Sequence, residues 1–189
     1  MTVSRLDEGE LLDAAGELAD LLVDTVAGGA SIGFLAPLGR SDAVAWWEAR
    51  ATAVAAGHLT VWTARRGTRL LGTVSLDRPD KPNSRHRAEL VKLMVHRAEL
   101  VKLMVHRAGR GQGLGRTLLA TAETAAAATG VTLLHLDTET DSPAESLYLS
   151  AGWTRVGAIP DYAATPSGEL RPTTLFYKRL GADTGPAAL

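Results

Sequence analysis

Residues 105–116 read Val105-His106-Arg107-Ala108-Gly109-Arg110-Gly111-Gln112-Gly113-Leu114-Gly115-Arg116, and they decide the fold. An apolar strand end runs into a turn with glycine at alternate positions. That turn opens directly onto the helix-forming stretch LLATAETAAAA, residues 118–128. Glycines let backbone N–H groups crowd an anion, and a helix N-terminus adds the positive end of its dipole. The pattern therefore reads as a pyrophosphate site. It is not a dinucleotide fingerprint, because Arg116 and Leu114 stand where G-x-G-x-x-G would place its third glycine. Nor is it a P-loop, since the chain contains no Gly-Lys pair. What remains is Arg110-x-x-Gly113-x-Gly115-Arg116, between a strand and a helix.

Outward from this turn the periodicity is that of one mixed domain. Val3–Leu6 reads as a short strand. Leu11, Leu12, Ala15, Leu18, Leu22 and Val26 recur at helical spacing, and Gly28-Gly29 closes that helix. After the loop Ala30–Arg40, Ser41-Asp42 caps a second helix expected to run to about Ala56, with Gly57 ending it. His58–Ala64 and Thr68–Leu76 form a hairpin around Arg66-Gly67, and Asp77–His86, with Pro79 and Pro82, is a loop. Leu100–Val105 is a strand, Gly113–Ala128 a helix, Val131–Asp137 a buried strand and Pro143–Ser150 a helix. Strands over Trp153–Ala158 and Thr174–Leu180 complete the pattern. This order predicts an α/β (α+β) fold with a mixed central sheet and helices on both faces. No linker interrupts it, so residues 1–180 are expected to form a single domain and residues 181–189 a flexible tail.

One feature stands apart: Arg87–His96 and Arg97–His106 both read RAELVKLMVH. A perfect ten-residue tandem repeat is shorter than any solenoid unit. Because ten is even, it preserves strand alternation, so either copy fits one sheet position with the same face inward. The second copy runs straight into the glycine turn, so it is expected to be the central strand. The first is expected to extend the loop after the hairpin or to pack elsewhere. Its apolar Leu90, Val91, Leu93, Met94 and Val95 would favour self-association into a homodimer.

Composition removes several function classes. Twenty basic against 21 acidic residues give a net charge of -1, which offers no general grip on nucleic acid or anionic membrane. The absence of cysteine excludes disulfides, thiolate metal sites and cysteine nucleophiles. The N-terminus MTVSRLDEGE has no apolar core of a signal peptide, and no apolar run reaches membrane-span length. A soluble, cytoplasmic protein without a metal is the expectation.

The glycine turn resembles the coenzyme-A pyrophosphate loop of the GNAT acetyltransferase superfamily, which likewise follows an apolar strand and opens a helix. A second resemblance lies at Ala144-Glu145-Ser146-Leu147-Tyr148-Leu149-Ser150-Ala151-Gly152-Trp153, where the superfamily carries a Tyr on a short helix ending in Gly-aromatic. Seven residues before that Tyr the family often has Asn, and this chain has Asp141. Further stretches resemble a toxin-resistance branch of the same family: Gly28–Phe34 (GGASIGF), RAELVKLMV, RGQGLGR, Leu133–Glu139 (LLHLDTE), Thr154–Gly157 and ATPSGELRPTTLFYKRL over 164–180. The duplicated decapeptide has no counterpart in that resemblance.

The resemblance implies a GNAT fold with a splayed central strand pair, and acetyl-CoA as co-substrate. Leu103, Met104 and Val105 would present backbone amides to the acetyl carbonyl. Arg110, Gly111, Gln112, Gly113, Leu114, Gly115 and Arg116, with Asp141, would hold the coenzyme. Tyr148 would protonate the departing thiolate, and Glu99 and Asp137 are the acidic residues at the positions of the base. The residues themselves agree in part. Alkyl amines, with pKa values of roughly 8–10.5, need a base at neutral pH. Glu99 shares a strand face with Val101, Leu103 and Val105, and a carboxylate on so apolar a strand is costly without work or a partner. Asp137 ends an apolar strand at a sheet edge, where it serves equally as a strand-end cap. His135 shares its face and reads as a hydrogen-bonded core residue. Of the adjacent Trp46 and Trp47, one can wall an acceptor pocket and the other is core. The acceptor class stays open at this level. A small, amino-acid-like amine, acetylated for resistance or self-protection, stands first. A peptide N-terminus and a non-catalytic coenzyme-A sensor are the alternatives.

Overall fold

The computed structural model describes residues 1–78, 87–89, 103–106 and 111–181; the predicted tail from 182 onward and Glu99 and Arg110 lie outside them. The elements in chain order are β1 (Thr2–Leu6), α1 (Glu8–Ala27), α2 (Arg40–Glu48), α3 (Ala51–Ala55), β2 (Leu59–Arg66) and β3 (Arg69–Asp77). There follow β4 (Arg87–Glu89), β5 (Met104–Val105), α4 (Leu114–Ala128), β6 (Leu133–Glu139), α5 (Pro143–Ser150), β7 (Thr154–Ala164) and β8 (Leu170–Arg179). One mixed sheet runs β1-β2-β3-β4-β6-β8-β7, with β5 beside β3 further along. No helix among the described residues is long and apolar enough to cross a membrane.

Local chemistry explains most of these boundaries. Asp7 and Glu10 cap α1 reciprocally: the Asp7 carboxylate accepts from the Glu10 N–H at 2.8 Å, and Glu10 accepts from the Asp7 N–H at 2.9 Å. Leu11, Leu18 and Leu22 of α1 are fully buried, each such side chain contributing about 1.5–3 kcal/mol of burial. The expected second helix is broken in two at Ala49-Arg50. Arg50 turns back over the Trp46 ring, 3.2 Å from its centroid, and its guanidinium donates to the Trp46 carbonyl at 2.6 Å. The Arg50 N–H bonds the Trp47 carbonyl instead, tightening the turn that ends α2. The cap also differs: Gly39 starts α2, without a side-chain hydrogen bond.

Two cores flank the sheet. On one face α1, α2 and α3 pack with Trp47, Leu59, Val61 and Met104; on the other α4 and α5 pack with Leu76, Leu134, Leu136 and Phe176. β7 and β8 are longer than their periodicity indicated, because their outer halves pair as a hairpin with little burial and so carry no alternating pattern.

The repeat is the chief correction. Arg87–Glu89 of the first copy is neither loop nor appendage. It lies in the sheet between β3 and β6, with Glu89 opposite Asp77 and in parallel register with His135. The second copy contributes the later segment, with Met104 opposite Thr73 and Val105 opposite Gly72. In an antiparallel ladder the partner numbers have a constant sum. Here it is 166 at the Glu89 end and 177 at the Val105 end, a difference of 11. The central strand therefore takes its entry from one copy and its exit from the other, and its surplus is one repeat plus one residue. A single extra residue is what a β-bulge inserts.

Candidate active site

The sheet opens where β4 gives out. β6 pairs with β4 only through Leu133, Leu134 and His135, so Leu136–Glu139 have a neighbour on the β8 side alone among the described residues. Among the described residues β5 pairs with β3 alone. A wedge thus separates β5 from the second half of β6. The close approach of β5 to β3 needs Gly72: a Cβ there would stand 2.7 Å from the Met104 carbonyl oxygen.

Backbone parity decides what β5 presents to the wedge. The His106 N–H donates to the Leu71 carbonyl of β3 at 2.7 Å. Strand N–H groups alternate sides, so those of Val105 and Leu103 point away from β3, into the opening. Met104 is buried on the α1 face, while Leu103 and Val105 lie against the α4–α5 core. The side chains pack and the backbone is left to work.

A cavity of about 710 Å³ occupies the wedge. Its coenzyme-side wall is Leu103–Val105 and the turn from Gly111 to Arg116; its far wall is Gly28–Ile32, after α1; Thr138, Glu139 and Asp141 with the start of α5 close it. Gly111 and Gly113 both have φ of 73°, and among the described residues a Cβ on either would meet nothing within 4 Å. Gly113 is the N-cap of α4 without a side-chain cap bond, so among the described residues no side chain caps the first-turn N–H groups that face the cavity. This is the donor set a coenzyme pyrophosphate requires. Leu114 is buried, and Gly115 sits against α5, where a Cβ would stand 3.3 Å from Leu147. The side chains of the turn are otherwise engaged: Gln112 accepts from Arg66, and Arg116 donates to Ser150 Oγ at 2.8 Å.

Asp141 lines the cavity in the left-handed region, with φ of 61°, a conformation Asp tolerates better than most residues. Its N–H donates to Glu145 Oε2 at 2.6 Å, while the Ser142 hydroxyl caps α5 by accepting from the Glu145 N–H at 3.3 Å. Glu145 was missed by sequence reasoning. Its signal was available, because Ser142-x-x-Glu145 before an apolar run has the spacing of a capping box.

Tyr148 is buried on α5, one residue beyond the cavity-lining Leu147, with its ring against Trp153 and Phe176 at centroid distances of 5.8 and 6.0 Å. Burial first, and the negative charge of Asp137 second, push its phenol well above the ordinary tyrosine range. Asp137 is half-buried on β6, opposite Leu175 and between the cavity-lining Thr138 and the buried Leu136. His135 and Asp137 are two apart on β6, on one face, and both are partnered. His106, at the end of β5, lies 3.8 Å from Asp24 of α1. The position in register with His135 is held by Glu89, the duplicate of Glu99. Of the two tryptophans Trp47 is core, and Trp46 packs on Phe34, Trp47 and Arg50 rather than lining the cavity. No cluster of three metal-binding side chains gathers among the described residues. Sequence reasoning also missed Thr25, Thr138 and Glu139 as wall residues; Glu139 continues the period-two face of His135 and Asp137.

The same fold occurs in solved structures. The chain is similar to yncA from Salmonella typhimurium with its cofactor acetyl-CoA (21% identity, TM-score 0.73, 100% of this chain and 99% of that one). It is similar to the ribosomal-protein-alanine N-acetyltransferase of Brucella melitensis (21% identity, TM-score 0.73, covering 95% and 100%). A GCN5-related N-acetyltransferase from Kribbella flavida also matches (18% identity, TM-score 0.70, covering 94% and 98%). At such identities these likenesses speak for the fold. A sequence profile of the acetyltransferase (GNAT) family matches residues 30–153, which is most of the chain and includes β5, the glycine turn and α5. The chain therefore belongs to the acetyltransferase (GNAT) family.

Proposed function

We propose that the acceptor is the amine of a small, amino-acid-like molecule, a toxin or antibiotic, acetylated by direct transfer in a ternary complex. The observation that carries this reading is the way the cavity is walled on the acceptor side. The segment after α1 is tied to the β7–β8 turn by the Ser31 hydroxyl donating to the Ala164 carbonyl at 3.4 Å and the Ala36 N–H donating to the Pro166 carbonyl at 2.8 Å. Such a strap suits a compact amine better than an extended peptide. The stretches GGASIGF, LLHLDTE and ATPSGELRPTTLFYKRL, which resemble the tabtoxin resistance acetyltransferase, support the same class.

Acetyl-CoA supplies an activated acyl group, and every other task falls to the chain. The turn from Gly111 to Arg116, with Arg110 and Asp141, holds the coenzyme. The Val105 N–H receives the carbonyl oxygen as negative charge develops on it, an interaction worth about 2.7–4 kcal/mol in comparable sites. A carboxylate takes the amine proton as nitrogen attacks: Asp137, together with the glutamate of the repeat. Sequence continuity favours Glu99 in that role and the register favours its duplicate Glu89. Tyr148, held protonated by its surroundings, gives its proton to the sulfur as the carbon–sulfur bond breaks. A homodimer is proposed on the apolar surplus copy of the decapeptide.

The test is a panel of amines with acetyl-CoA, read by free thiol. Turnover of amino-acid-like amines, lost by about ten- to a thousandfold in Tyr148→Phe with unchanged acetyl-CoA affinity, supports the reading. Preference for peptide N-termini refutes the acceptor class. Coenzyme binding without thiol release for any amine leaves a sensor rather than an enzyme.

A further inference from the structure

Glu123 lies on α4, far along the helix from the coenzyme turn, yet it is the meeting point of three elements. Its Oε1 accepts from the Trp153 indole N–H at 2.7 Å, and its Oε2 accepts from Lys178 of β8 at 2.6 Å. Lys178 also donates to the Ala151 carbonyl at 2.8 Å. Ala151 is the C-cap of α5, where a cation is electrostatically favoured. The Glu123 and Lys178 side chains are only 15% and 24% exposed. A pair this withdrawn from water is weak evidence for stability, since desolvation consumes much of the attraction. What it does supply is fixed geometry. Both carboxylate oxygens are engaged, and the ammonium has two acceptors on different elements.

The geometry converges on Tyr148. The Trp153 ring that Glu123 holds packs against the Tyr148 ring, and the Trp153 backbone N–H donates to the Tyr148 carbonyl at 3.1 Å. The Ala151 N–H bonds the carbonyls of Leu147 and Tyr148, so the residue clamped by Lys178 is one turn from the phenol. We propose that Glu123, acting through Trp153 and with Lys178, is a positioning residue: it ties the helix that opens at the coenzyme turn to the helix that carries Tyr148, and so sets the phenol against the reacting sulfur. This rests on the reading of Tyr148 as the proton donor. An indole N–H fixed by a carboxylate cannot rotate its ring without breaking a charge-assisted bond. A phenol displaced by about an ångström is enough to cost a large part of the proton-transfer rate.

The experiment compares Trp153→Phe, Glu123→Ala and Glu123→Gln, alone and in a Tyr148→Phe background, in steady-state assays and thermal melts. Trp153→Phe keeps an aromatic ring but loses the N–H together with part of the buried ring; Glu123→Gln leaves the indole intact and keeps an acceptor for it, so the Glu123 pair isolates the bond. The expected result is a fall in kcat of about tenfold for Trp153→Phe and Glu123→Ala, with the acetyl-CoA KM within about twofold, and recovery to within about threefold of wild type for Glu123→Gln. In the Tyr148→Phe background the first two substitutions should cost nothing further, since residues acting as one unit are not additive. Equal losses in both backgrounds, or losses that follow the melting temperature alone, would make the network structural and overturn the proposal. Wild-type kcat in Trp153→Phe beside a crippled Tyr148→Phe would overturn it and leave Tyr148 in place. Wild-type kcat in Tyr148→Phe itself would remove the premise.

Discussion

Deleting Arg87–His96 gives the same polypeptide as deleting Arg97–His106, because the copies are identical, so one variant tests the whole account of the central strand. Between Glu89 and Met104 stand 14 residues, whereas their partners Asp77 and Thr73 are separated by only Val74, Ser75 and Leu76. Removal of ten residues leaves four facing three, which one bulge accommodates. The deleted chain should therefore form an unbroken strand from β3's far end to the glycine turn, with the repeat's glutamate still opposite Asp77. Shortening the connection from 14 residues to four relieves a closure cost of about 1 kcal/mol, from the logarithmic dependence on length. That corresponds to a rise in melting temperature of about 2–4 °C for a domain of this size. The assay is a thermal melt together with thiol release from acetyl-CoA. A melting temperature lower than that of the full chain, or loss of turnover in a folded variant, would refute the register argument and show that the second copy has a role in the site.

Further outcomes follow from the site. Gly113→Val places a branched side chain at a φ of 73° on the wall of the cavity; coenzyme binding should fall by at least a hundredfold by calorimetry while the circular dichroism spectrum is kept, at a strain cost of about 1–2 kcal/mol. Asp137→Asn should depress activity more on high-pKa amines than on low-pKa amines, and equal losses on both would exclude Asp137 as the base. Because the Tyr148 phenol is raised above its unfolded value, the folded state holds that proton more tightly. Its stabilising contribution is complete below about pH 10 and is lost as pH rises through the folded value. Turnover should accordingly show no ionisation of Tyr148 up to about pH 10; a tyrosinate absorbance change tracking lost activity below that pH would contradict the burial argument.

The helices were legible because their information is local. Periodic leucines and paired glycines mark α1, and the glycine turn with its following alanine-rich run marks α4. The α2–α3 break was not legible. It depends on one arginine turning back on one tryptophan, a choice of rotamer that no spacing encodes. The outer halves of β7 and β8 escaped for a related reason, since an exposed hairpin has no buried face to impose alternation.

The sequence by itself determined that a glycine-rich turn joins strand to helix, because that follows from residue type and spacing, which are covalent facts. The candidacy of Tyr148, Asp137 and a duplicated glutamate is what the resemblance to the family implies. The tertiary structure alone decided which strand pairings end and where the sheet parts. It also decided that the Val105 N–H faces the opening and that Tyr148 is buried against Trp153 and Phe176. Two identical decapeptides have the same propensity and the same alternation, so nothing local could assign them. Only the neighbours did, with Asp77 and His135 taking the entry from the first copy and Gly72 and Thr73 taking the exit from the second.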